Sequence, residues 1–165
     1  MAKTDLTAER LRELLHYDPQ SGVFAWRHKR PGISKAGTVA SCNSHGYIVI
    51  RVDRHLYPAH RLAWLYMNGR WPTNQIDHID ECRSNNSIRN LREATKSENM
   101  QNRSKPNKKT ASKILGAYWV PGAKKWESRI CANKCKRYLG LFETPELAHA
   151  AYIAAKRTLH PFGRL

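Results

Sequence analysis

Gln75-Ile76-Asp77-His78-Ile79-Asp80-Glu81-Cys82-Arg83-Ser84-Asn85-Asn86-Ser87-Ile88-Arg89-Asn90-Leu91-Arg92, followed by Glu93-Ala94-Thr95-Lys96-Ser97-Glu98-Asn99-Met100-Gln101-Asn102, is the stretch that decides the fold. Gln75 to Ile79 reads as a short strand, and Ile88 to Leu91 as the end of its return limb. Thr95-Lys96-Ser97-Glu98 matches a capping box, with Thr95 at the N-cap and Glu98 at the third helical position, so a helix from Lys96 to about Gln101 is predicted. The stretch therefore offers a strand-borne Asp-His pair, a hairpin limb carrying an amide, and a capped helix with a second oxygen donor. Neighbours on a strand point to opposite faces, so Asp77 and His78 address one substrate together only if a twist or bulge helps. Asn99 falls one turn into its helix, from where a side chain can reach back over a neighbouring strand.

Those residue types suit phosphodiester hydrolysis. The reaction needs an activated water, neutralisation of charge at phosphorus, and help for the departing 3′ oxygen. A hard divalent cation held by Asp77 and Asn99 supplies the last two. One carboxylate and one amide suit Mg2+ or Mn2+, which keep several waters and accept substrate oxygens. An unprotonated His78 accepts the proton of the water, since imidazole titrates near neutral pH. Asn90 is better placed to hold the His78 loop, or the tautomer of its ring, than to bind metal.

Working outward toward the N-terminus, Leu6, Leu11, Leu14 and Leu15 recur at helical spacing, with Thr7 able to cap a slightly shorter helix. Tyr17 to Pro58 is rich in turns and short strands. Asp18-Pro19 and Ser21-Gly22 punctuate it, Val23 to Trp26 reads as a strand, and Gly46 to Val52 is the clearest strand. Ala59 to Asn68 is predicted helical and stops at Gly69. Arg61 is a candidate phosphate contact, whereas His60 reads first as a packed residue.

Toward the C-terminus, Arg103 to Lys113 has almost no apolar residue and reads as a cationic linker, with Lys105, Lys108 and Lys109 tracking phosphates or a minor groove. Three strand-like runs follow, Ile114–Val120, Lys125–Ala132 and Lys136–Phe142. A closing helix runs from Pro145 to Leu159 with Thr144 as N-cap. Trp126, Ser128 and Ile130 are expected to face that helix, against Leu147, Ala148, Ala151, Tyr152 and Ala155. Glu127, Arg129 and Cys131 are expected to face outward with Tyr118, Lys136 and Tyr138, a cationic and aromatic surface of the kind that lies in a major groove.

Charge supports that division. The chain has 165 residues and a formal net charge of +16, from 29 Lys and Arg against 13 Asp and Glu. Residues 1–100 hold 15 basic and 10 acidic side chains, net +5, and residues 101–165 hold 14 and 3, net +11. Such an excess favours a polyanionic partner through counterion release; a ribosome-like basic protein or an anionic membrane surface are the competing classes. The N-terminus is polar rather than signal-like, no apolar run approaches bilayer length, and a cytoplasmic location is expected. The four cysteines, Cys42, Cys82, Cys131 and Cys135, read as free thiols, because only Cys131 and Cys135 approach a metal-ligand spacing.

His60-Arg61-Leu62-Ala63-Trp64 through Asn102, with the Asp-His pair, the later Asn-Leu-Arg and the helix Asn, resembles the phage and bacterial HNH homing endonucleases. The likeness extends over most of residues 17–102. It implies a ββα-metal (His-Me finger) core, with Asp77 and Asn99 as metal ligands, His78 as general base and Asn90 as the middle Asn of the signature. The turn Glu81-Cys82-Arg83-Ser84 departs from the family by lacking its usual Gly-Asp or Gly-Asn. Ile114 to roughly Pro161 is similar to the ethylene-response-factor (apetala-type) DNA-binding domain. The matching residues are Gly116, Lys125-Trp126, Ile130, Tyr138-Leu139-Gly140-Leu141-Phe142, and Ala148, Ala151, Tyr152 and Ala155 of the helix. By position it implies DNA contacts at Tyr118, Lys125, Arg129, Lys136 and Tyr138. Tyr118, Val120 and Cys131 stand where plant members use Arg, so base preference does not carry over.

The sequence thus predicts an α+β protein. Residues 1–102 form a nuclease domain with a strand-rich extension, 103–113 a basic linker, and 114–165 a three-stranded antiparallel sheet packed on one helix. The expected activity is metal-dependent cleavage of double-stranded DNA by a monomer, nicking one strand per active site, with no membrane and no small-molecule substrate. The alternative is a non-cleaving, sequence-specific DNA-binding regulator; an RNA-directed basic protein is a third class.

Overall fold

The computed structural model describes residues 6–29, 35–37, 39–104, 106, 112–132 and 135–163. Its contacts gather into two units, Met1–Thr95 and Lys96–Leu165. Lys105, Lys108 and Lys109, and most of the expected linker, lie outside the described residues.

In the first unit, α1 (Ala8–Leu14) starts at Thr7, whose hydroxyl accepts the Arg10 N–H at 3.2 Å. It is shorter than the leucine spacing predicts, because Leu15 is already extended and opens β1 (Leu15–Tyr17). Strand β1 pairs antiparallel with β2 (Phe24–Trp26), leaving Val23 exposed just ahead of the strand. β3 (Cys42–Ser44), β4 (Tyr47–Val52) and β5 (His55–Pro58) form an antiparallel sheet in that order. Asp53 and Arg54 both take positive φ, 45° and 70°, so β4 and β5 are joined by a tight two-residue turn without the usual glycine. Helix α2 (Ala59–Asn68) follows and ends at Gly69 in the left-handed region, as the sequence predicts.

Leu11, Leu15, Val52 and Leu62 are fully buried, and the Tyr17 and Phe24 rings pack at 4.6 Å beside them. Each such aliphatic side chain contributes about 1.5–3 kcal/mol of burial. This core carries β6 (Gln75–His78), paired antiparallel with β7 (Leu91–Ala94). The return strand starts one residue after Asn90; Ile88–Asn90 is a 3-10 turn rather than strand.

In the second unit, α3 (Lys96–Gln101) occupies the predicted range. A three-stranded antiparallel sheet follows, with β9 (Lys125–Ala132) between β8 (Ala117–Val120) and β10 (Cys135–Phe142). The first strand is shorter than expected. Gly116 takes φ +80°, and the Ser112 hydroxyl bonds the Ala117 carbonyl at 2.8 Å, so Ile114 to Gly116 turns instead of extending. α4 (Pro145–Leu159) begins with Thr144 accepting the Leu147 N–H at 3.3 Å and packs on the sheet.

Ser128, Ile130 and Ala148 are buried between sheet and helix, as predicted, and Trp126 is half-buried. Leu147 is not part of that contact. It is 53% exposed, because a helix of small residues seats on the sheet through Ala148 and leaves the neighbouring position turned outward. The contact is close: a Cβ on Gly116 would fall 2.2 Å from the Tyr152 ring. Among the described residues no helix is long and apolar enough to cross a membrane.

Candidate active site

Asp77 and His78 occupy the last two positions of β6 and are both buried, 6% and 5% exposed. The register of β6 with β7 is regular, Asp77 opposite Arg92 and His78 opposite Leu91, so no bulge turns the pair onto one face. Asp77 accepts from Arg92 Nε at 3.0 Å and Nη2 at 2.8 Å, and both bonds fall on Oδ2. Directly opposed residues of an antiparallel pair share a face, which is why Arg92 reaches this carboxylate. The ring of His78 lies against a different set. Its Nε2 is 3.1 Å from Oδ1 of Asn86, and its centroid is 5.1 Å from that of His60 and 6.1 Å from that of Tyr47. The Arg83 guanidinium covers Tyr47 at 4.8 Å.

Asn90 bonds within the loop that follows His78. Its Oδ1 accepts the Asp80 N–H at 3.0 Å, and its Nδ2 donates to Asp80 Oδ1 at 2.8 Å and to the Asn85 carbonyl at 2.9 Å. Asn85 closes the knot by donating to Asp80 Oδ2 at 2.6 Å. Partial burial works to raise the Asp80 carboxyl, but the bonds from Asn85, the Cys82 N–H and Asn90 outweigh it and hold the group below its ordinary value. Asn90 therefore braces the loop that follows His78. Glu81 in that loop has φ +61°, a left-handed conformation that a glycine would adopt without strain. Replacing Glu81 by Gly is expected to raise stability by about 0.5–1 kcal/mol in chemical denaturation; a loss of stability would show that the Glu81 side chain holds the turn.

His60 is the feature the sequence undervalues. Its Nδ1 is buried with no hydrogen-bond partner among the described residues. Burial, then the charges of His78 and Arg61, push its pKa down from 6.5 to about 4. A neutral imidazole thus walls one side of the His78 ring. Arg61 stacks its guanidinium over Trp71 at 5.8 Å. Asn99 is half-buried on α3, in the second unit.

The candidate DNA surface of the second unit shares one sheet face. The register pairs Tyr118 with Glu127, Arg129 with Tyr138 and Cys131 with Lys136, and directly paired residues point the same way. Tyr138 is 64% exposed, and Arg129 lies over the Tyr118 ring at 4.3 Å while also pairing with Glu127 at 3.2 Å. Lys125 is tied to Glu143 at 2.8 Å, which raises its pKa, so Lys136 is the less encumbered cation. The strand register places Cys131 opposite Lys136 and Cys135 opposite Ala132, hence on opposite faces, which argues against a shared metal.

Residues 57–101 match the family model described as HNH endonuclease. No curated protein and no solved structure matches the chain. The matched span runs from Tyr57 in β5 to Gln101 at the end of α3 and contains Asp77, His78, Asn90 and Asn99. It supports a nuclease of the HNH type, with DNA as its substrate.

Proposed function

We propose that the protein is a metal-dependent, homing-type DNA endonuclease that hydrolyses one phosphodiester per active site at a recognised site, nicking one strand. The observation that carries this reading is the buried Asp77-His78 pair at the end of β6, inside the span matched by the nuclease family.

Asp77 and Asn99 are the proposed ligands of Mg2+ or Mn2+. The donor chemistry fits a hard cation: Asp77 is a buried carboxylate that meets both Nε and Nη2 of Arg92 through Oδ2, and the second ligand is an amide oxygen. Among the described residues no group of three His, Cys, Asp or Glu side chains is arranged to hold a metal ion, and the proposed pair is one carboxylate and one amide. When bound, the cation neutralises charge on the phosphate and assists the leaving oxygen. His78 takes a proton from water as its oxygen bonds to phosphorus, and the bond to the 3′ oxygen breaks; that oxygen takes a proton from solvent, leaving a 5′ phosphate and a 3′ hydroxyl. Asn90 keeps the loop after His78 in shape, and Arg92 orients the Asp77 carboxylate.

The outer sheet face, through Tyr118, Arg129, Lys136 and Tyr138, with Lys125 and Arg61 as further contacts, grips double-stranded DNA. Lys105, Lys108 and Lys109 extend that grip, and the chain acts as a monomer in the cytoplasm of a bacterial or phage-infected cell. Each of Arg129→Ala and Lys136→Ala is expected to reduce the slope of log affinity against log salt by about 0.9, one phosphate contact apiece; unchanged slopes in both would remove this face from the interface. Relaxation of a supercoiled plasmid with and without EDTA tests the activity itself. Retention of activity in excess chelator would end the metal-dependent reading, and no cleavage with either ion would favour the non-cleaving regulator.

A further inference from the structure

We infer that Asn86 is the positioning residue of His78, and that the turn Asp18 to Gly22, which precedes the matched family span, exists in this unit to clamp it. The inference rests on the reading of His78 as the general base.

Asn86 is 2% exposed, and its side chain spans between two partners. Its Nδ2 donates to the Ser84 carbonyl at 3.4 Å, which fixes the amide so that Oδ1 faces Nε2 of His78 at 3.1 Å. An amide oxygen can only accept, so Nε2 carries the proton and the lone pair of the neutral ring belongs to Nδ1. Asn86 therefore selects the tautomer and the rotation of the ring that does the chemistry, as partners of reactive histidines do elsewhere.

The backbone around Asn86 is held from a distance. The buried Tyr17 hydroxyl donates to the Asn86 carbonyl at 2.7 Å, and burial pushes that phenol well above its ordinary pKa, so it stays a donor. Pro19 accepts from the Ile88 N–H and from the Ser87 hydroxyl, both at 3.1 Å. Gly22 lies flat on the Asn86–Ser87 peptide: a Cβ there would fall 2.3 Å from the Asn86 carbonyl carbon and the Ser87 nitrogen. With φ +74°, Gly22 also takes a conformation that side chains resist. Four separate contacts from β1 and the following turn thus converge on three residues, Asn86 to Ile88. Packing alone does not demand that density of polar contact; a side chain that must aim an imidazole does.

The test compares Asn86→Leu, which keeps the branching at Cγ and removes the acceptor, with Asn86→Asp, which restores an acceptor; thermal unfolding of both checks that the larger Leu is accommodated. Ring carbon shifts of His78 in labelled full-length protein at alkaline pH report the tautomer, and plasmid nicking reports kcat and KM. Asn86→Leu is expected to redistribute the His78 ring proton between Nδ1 and Nε2. It should lower kcat by about 10–100-fold with KM for DNA unchanged. Asn86→Asp recovers the tautomer and most of the rate, and Tyr17→Phe gives a smaller fall in kcat. An unchanged His78 ring in Asn86→Leu, or a loss of KM and kcat together that Asn86→Asp does not rescue, overturns the inference. If the wild type cuts no DNA while Asn86→Leu still moves the ring proton, the bond assignment stands and the nuclease reading fails.

Discussion

Replacing His78 by alanine is expected to slow DNA nicking by about 10²–10⁴-fold, the contribution of a positioned general base, while duplex affinity stays within a few-fold. His78 is the better probe than Asp77. Removing the Asp77 carboxylate strips Arg92 of the acceptor it holds with both Nε and Nη2, so a loss of activity there mixes metal binding with a broken buried ion pair. His78 bonds to Asn86 through one ring nitrogen and meets the His60 and Tyr47 rings, whereas the β6–β7 register and the Asn90 knot are built from other residues, so truncation is expected to leave them in place. The readout is single-turnover nicking beside a binding titration in the absence of divalent ions, with thermal unfolding as the check on folding. Cutting at the wild-type rate would remove His78 from the chemistry. Equal loss of cutting and binding, with a lowered melting temperature, would make it a structural residue of a DNA-binding protein.

Much of this site is legible in the sequence because its signals are local. The Asp-His pair on a short strand, α2 ending at Gly69 and α3 over Lys96 to Gln101 depend on neighbours a few residues apart. The parts that escape depend on distant pairings. Tyr17 meets Asn86 across 69 positions, and nothing near Gly22 announces that its missing Cβ is needed by the Asn86–Ser87 peptide. Lys156, in the last turn of α4, is 1% exposed and donates to the Arg103 carbonyl at 2.9 Å. A backbone acceptor brought in from another segment is invisible to periodicity. Glu81 shows the converse: the missing glycine is plain in the sequence, and the loop keeps the left-handed conformation anyway because Asn85, Asn90 and Asp80 over-determine it.

His60 leads to the second large effect, a loss of stability in acid. Its folded pKa of about 4 lies below the 6.5 of the free side chain, because burial and then the His78 and Arg61 charges disfavour the imidazolium. Between those two values the unfolded chain binds a proton at this position and the folded chain does not. Stability therefore rises with pH through that window: it is fully present above about 6.5 and is lost as pH falls toward about 4. The full displacement corresponds to about 3–4 kcal/mol, of which about 2–3 kcal/mol falls between about pH 7 and about pH 4.5. Chemical denaturation at about pH 7 and about pH 4.5 measures it. His60→Gln, neutral throughout, is expected to shrink the difference between the two conditions by that amount, leaving only the acid sensitivity of carboxylates such as Asp80. The same difference in both proteins would mean that His60 reaches solvent readily enough to ionise in the folded chain. The wall it forms beside His78 would then carry a charge at low pH, repelling the imidazolium that proton uptake creates.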